Sequence, residues 1–144
     1  MKHIFFALTV LIACMGAPDA RAESYVNASL TGHNFSNQPL GDTSFVNAEL
    51  SNAQFEGSQL IGGGFTDSNA SGANFAGAVL RNVTFVNVAL DGANFEGAQF
   101  NNVSFVNVTL VGTRLQRDQI RHISMVNSGT GKVVWIKTEA GARR

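Results

Sequence analysis

Residues 85–105 read Phe85-Val86-Asn87-Val88-Ala89-Leu90-Asp91-Gly92-Ala93-Asn94-Phe95-Glu96-Gly97-Ala98-Gln99-Phe100-Asn101-Asn102-Val103-Ser104-Phe105. A large apolar residue returns at every fifth position: Phe85, Leu90, Phe95, Phe100 and Phe105. Neither the 3.6 period of an amphipathic helix nor the alternation of a half-buried strand fits that spacing. Working outward, Phe35, Phe45, Phe55, Phe65 and Phe75 keep the same phase, as do Leu30, Leu40, Leu50, Leu60, Leu80, Leu110 and Leu115. Beyond residue 22 neither residue type occurs out of phase. An internal repeat therefore organises the chain.

Each five-residue unit has its own grammar. Two positions before the large residue stands a small or β-branched one, as in Ala53, Ala73, Val83, Ala93 and Val103. Two positions after it stands Gly, Asn or Asp, as in Asn47, Gly57, Asp67, Gly77 and Asn87. Those residues accept positive φ or tight turns, so each unit reads as a short extended piece ending in a corner. A second period of twenty lies over the first: Tyr25-Val26-Asn27 recurs as Phe45-Val46-Asn47, Phe85-Val86-Asn87, Phe105-Val106-Asn107 and Met125-Val126-Asn127, with Phe65-Thr66-Asp67 as the degenerate copy. Four corners close one square coil, whose large residues point inward on four faces. Coils stack at about 4.8 Å with backbone hydrogen bonds along the axis.

Ala73-Asn74-Phe75-Ala76-Gly77 and Ala93-Asn94-Phe95-Glu96-Gly97 closely resemble the units of the pentapeptide-repeat proteins. The resemblance covers roughly Tyr25 to Leu115 and implies an all-β fold, a right-handed quadrilateral β-helix of about five coils. That family has no single biochemical function, so the fold does not carry one across.

The ends differ from the body. Residues 1–22 have the parts of a secretory leader: Lys2 and His3, an apolar run from Ile4 to Met15, then Ala20-Arg21-Ala22. The run is about a dozen residues where a membrane span needs about 20, so no permanent span is expected. Leu11-Ile12-Ala13-Cys14 competes as a lipobox that would make Cys14 a lipid-anchored first residue, but Cys14 sits early for that. Cleavage after Ala22 is the expectation, and it removes the one cysteine. The expected organisation is a leader over 1–22, a β-helix over 23–127, and a cap strand with a mobile tail over 128–144. The strand runs from Lys132 to Thr138 and carries Trp135, because the last coil of a β-helix needs covering.

Four departures mark the body. Ala70 stands where a large residue is due, and Gly62-Gly63-Gly64 precedes Phe65. A loosened corner is expected there, with close approach by a ligand or partner backbone as the alternative. His33 falls in an inward slot and reads as a histidine at the end of the core. Asp118 falls in another, beside Arg114, Arg117 and Arg121, so the regular coil is expected to loosen where a buried unpaired carboxylate would be costly.

Chemistry has little to work with. Past the leader there are two histidines, His33 and His122, and no clustered ligand set or phosphate loop, so neither enzyme, metal nor cofactor is expected. Net charge is zero, but from Glu23 to Gly112 seven carboxylates face one base, Arg81, and from Thr113 onward seven bases face two acids. The body is at −6 and the C-terminal end at +5. Some relatives in the family are thought to imitate DNA and act on a type II topoisomerase. Duplex DNA would show about 14 charges over the roughly 24 Å of five coils, so seven carboxylates make that reading the weaker one. Zero net charge separately argues against binding of nucleic acid itself.

One surface feature stands out. After each inward residue of the first face comes an outward Val26, Val46, Thr66, Val86, Val106 or Val126, whereas another face has Thr31, Ser51, Ser71, Asp91 and Val111. The bland explanation is β-propensity on an exposed sheet. The functional one is a docking face for a protein partner, a second copy, or the folded-back C-terminal strand. The sequence thus points to an exported, noncatalytic scaffold or protein-binding module of the periplasm or cell exterior. Val26, Val46, Val86, Val106, Val126 and Trp135 are its candidate contacts.

Overall fold

The computed structural model describes residues 22–129 and 133–136; the expected leader up to Arg21, residues 130–132 and the tail beyond Ile136 lie outside them. Among the described residues twelve short strands carry the chain around a four-sided helix. They are β1 (Ser24–Val26), β2 (Pro39–Gly41), β3 (Ser44–Val46), β4 (Gln59–Ile61), β5 (Gly64–Thr66) and β6 (Val79–Arg81), then β7 (Thr84–Val86), β8 (Gln99–Asn101), β9 (Val103–Val106), β10 (Arg114–Gln116), β11 (Ile123–Val126) and β12 (Val134–Ile136).

The first face is a six-stranded parallel sheet in the order β1-β3-β5-β7-β9-β11, and the fourth is β2-β4-β6-β8. Residues twenty apart pair throughout, as in Tyr25 with Phe45 and Phe65 with Phe85. The second and third faces are thinner. Single parallel bridges join Ser29, Glu49, Asn69, Ala89 and Thr109 on one, and Asn34, Gln54, Asn74, Asn94 and Arg114 on the other. β10 and β12 extend the third face with Leu115 opposite Trp135.

Corners fall where the grammar puts them. Asn27, Asn47, Asp67, Asn87, Asn107 and Asn127 all take φ between 51° and 55°. Short polar side chains tolerate that left-handed region better than other non-glycine residues. Most corner amides then donate to a carbonyl of the next coil, as Asn47 does to Thr66 O at 2.9 Å and Gly72 to Asp91 O at 2.8 Å.

The large residues fill the interior. Tyr25, Phe45, Phe65 and Phe85 stack in one column with centroids 4.7–5.0 Å apart, and Phe35, Phe55, Phe75 and Phe95 in another at 4.7–4.9 Å. The columns meet edge to face, as Phe75 meets Phe85 at 82°. This is the geometry that ring quadrupoles favour. The stack ends at Phe105, which turns to 83° against Phe85, because Phe100 replaces the leucine of the fourth face and brings a ring to within 6.4 Å of Phe105.

The departures resolve individually. Ala70 is fully buried and its amide donates to Ala89 O at 2.8 Å, so the backbone ladder runs on through it rather than loosening. Gly63 and Gly64 are the irregular residues, with φ 69° and 154° in positions that are not corners. A Cβ at Gly63 would stand 2.7 Å from the Thr43 carbonyl carbon and 2.8 Å from the Thr43 nitrogen. The close approach anticipated at this glycine run is therefore made by the protein's own preceding coil. His33 is half-buried against Phe35, ring centroids 4.5 Å apart, and burial pushes its pKa below the ordinary histidine value.

Asp118 is exposed at the start of a 3-10 turn, Gln119–His122, where the regular coil does loosen. The neighbouring Gln119 takes the interior place. Its Nε2 donates to the carbonyls of Phe95 at 2.7 Å and Ala98 at 2.9 Å, and its Oε1 accepts from the Gln116 amide at 2.7 Å. A buried amide with all these partners satisfies the last coil's polar groups without a charge.

Candidate partner-binding face

The six-stranded sheet presents two outward ranks. One is Ser24, Ser44, Gly64, Thr84, Ser104 and Ser124, and the other is Val26, Val46, Thr66, Val86, Val106 and Val126, each paired in register with its neighbours. The inward residue of every rung from Tyr25 to Phe105 is fully buried. Val26 and Val126, at the two ends, are 36% and 49% exposed, and the valines between them are partly exposed.

An amide ladder borders the valine rank. Nδ2 of Asn47 donates to Asn27, Asn87 to Asp67, Asn107 to Asn87 and Asn127 to Asn107, with distances of 2.5, 2.8, 3.0 and 3.1 Å. The missing rung lies between Asp67 and Asn47, because the Asp67 side chain has no N–H to donate. Asp67→Asn restores a donor at that height and should raise stability by about 0.5–1.5 kcal/mol, the usual net value of one hydrogen bond. A denaturant midpoint unchanged or lowered by that substitution would show that the ladder adds nothing.

The gap opens onto a surface groove of about 490 Å³ lined by Asn47, Glu49, Asp67, Ser68, Asn69 and Asn87 among others. Glu49 is held there by the Ser51 hydroxyl and the Asn69 amide, and the Ser51 bond chiefly holds its carboxyl below the usual range. Among the described residues no three of His, Cys, Asp and Glu gather as a metal site would require.

Trp135 does not join the valines. β12 pairs in parallel with β10 on the third face, so its strand continues the solenoid by one rung instead of folding back across the valine rank. That removes the C-terminal strand from the candidate occupants of the ribbon. The carboxylates are also dispersed: Glu49 and Asp91 flank the second face, Glu56 and Glu96 the third, and Glu96 is paired with Arg114 at 2.9 Å. Sequence reading missed the amide ladder, although the twenty-residue recurrence of asparagine carries it.

A four-sided solenoid of five-residue units defines the class of protein. The family model for the pentapeptide repeat region matches residues 23–95, and that for pentapeptide repeats (8 copies) matches 85–117. The chain belongs to the pentapeptide-repeat family. Among solved structures it is similar to a pentapeptide repeat protein of the Arabidopsis thaliana thylakoid lumen, at 25% identity and TM-score 0.56, covering 78% of this chain and 81% of that one. Rfr23 of the cyanobacterium Cyanothece 51142 is 19% identical over 78% of this chain and 91% of its own, with TM-score 0.31. QnrB1, a plasmid-mediated fluoroquinolone resistance protein, is 17% identical over 85% and 93%, with TM-score 0.30. No curated protein matches the chain in sequence.

Proposed function

We propose that the protein is an exported, noncatalytic scaffold that binds a protein partner across the six-stranded face. The observation that carries this reading is the in-register column of outward Val26, Val46, Val86, Val106 and Val126 on a regular sheet. A flat column of valines, interrupted at Thr66 and edged by an amide ladder, offers a partner burial at its centre and hydrogen bonding at its margin, the arrangement of a binding patch. Export rests on the leader pattern of residues 1–22. Among the described residues no helix is long and apolar enough to cross a membrane.

Val86→Lys with Val106→Lys tests the reading. The side chains point away from the core, so circular dichroism should be preserved. Capture of a partner from periplasmic extract, or self-association seen by light scattering, should be lost. Association equal to that of the unaltered protein would leave the valines as β-formers only. N-terminal sequencing of the exported protein should begin at Glu23, and a lipid-blocked Cys14 would replace a free scaffold with an anchored one.

A further inference from the structure

The last coil differs from the rest in charge and in what it exposes. Arg114, Arg117 and Arg121 are exposed there beside Asp118, with Arg114 paired to Glu96. The sequence from Thr113 onward carries a net +5 against −6 for the body, four of its seven bases falling outside the described residues. Among the described residues five large apolar side chains are exposed, and three of them, Val111 (51%), Ile120 (37%) and Val126 (49%), belong to this same end. They lie on different faces, so arginines and apolar groups share the rim of the solenoid's end. Gln119 holds the centre: its hydrogen bonds to Phe95 and Ala98 pin the 3-10 turn that presents Ile120, Arg121 and His122 outward.

We infer that this end docks on the anionic headgroups of a lipid bilayer, with the solenoid axis standing away from the surface. Basic residues near an anionic leaflet are attracted through the surface potential, and adjacent apolar side chains enter the headgroup boundary. Charge alone would suit nucleic acid equally. The exposed isoleucine and valines decide for the bilayer, since a phosphate backbone offers them nothing to enter. The acidic body extends about 24 Å along the axis, and at physiological salt the leaflet's surface potential is screened over about 8 Å, so most of its carboxylates lie beyond reach. Glu96, one coil from the end, is paired with Arg114. Only Val126 is shared with the valine ribbon, whose other members lie along the side of the solenoid.

The exported protein is sedimented with vesicles of phosphatidylcholine alone and with vesicles that also contain phosphatidylglycerol. Binding is expected only to the second kind and should weaken as salt rises. Arg117→Gln with Arg121→Gln should lower partitioning about thirty-fold, and Arg121→Gln alone about five-fold, the equivalent of about 1 kcal/mol for each arginine. Ile120→Ser should lower binding while keeping its salt dependence. Circular dichroism confirms that each variant is folded. The inference is overturned by equal binding to both kinds of vesicle, by salt-insensitive binding that the arginine variants leave unchanged, by tighter binding to duplex DNA than to anionic vesicles, or by no vesicle binding.

Discussion

Phe85→Ala is expected to lower the free energy of unfolding by about 3 to 5 kcal/mol, and Val86→Ala by no more than about 0.5. The two residues are neighbours in sequence and opposites in space. Phe85 is fully buried, stacked on Phe65 at 4.7 Å and edge-on to Phe75, Phe95 and Phe105. Its loss leaves a void between coils whose spacing is fixed by backbone hydrogen bonds, so the surroundings cannot collapse into it. Val86 points outward, and its truncation removes only partly exposed surface. Denaturant titration of both variants decides, and equal losses would mean that the inward and outward ranks are misassigned.

Gly63→Ala is the second large effect. Alanine at φ 69° costs about 1–2 kcal/mol from the left-handed backbone alone. Here the added methyl also meets the backbone of Thr43, which cannot rotate aside, and displacing it adds about 1–3 kcal/mol. Gly77→Ala supplies the comparison. At φ 66° it has nothing within 4 Å of the added Cβ, so only the backbone cost remains. If thermal denaturation shows Gly63→Ala no worse than Gly77→Ala, the close approach between the coils is not limiting.

The period of five carried most of this architecture in plain view, because one slot in five must fill a dry interior and another must turn a corner. Phe35 through Phe105, and the corners from Asn27 to Asn127, stand where that arithmetic places them. What escaped was decided between coils rather than within one. Gln119 looks like a surface residue until the carbonyls of Phe95 and Ala98, more than twenty positions away, are brought to it. Gly63 reads as slack, and only the neighbouring coil shows it to be a point of contact. The valine rank was legible as a pattern. Its isolation from Trp135 was not, since the path of the C-terminal strand depends on which open rung accepts it.

The irregularities at Gly63, Asp67 and Ala70 all fall within one turn of the solenoid, and that coincidence shapes how the molecule can fail. In a linear array each turn is held chiefly by the two beside it, so cooperativity passes through every link in series. The turn with a flipped glycine, no amide donor at Asp67 and a methyl in place of a leucine side chain is expected to be the weakest link among the described coils. Heat or a pulling force would find this seam first. The chain would then part into two shorter blocks, each with its aromatic column still stacked, and amide protons beside Gly63 would exchange with solvent before those around Phe85.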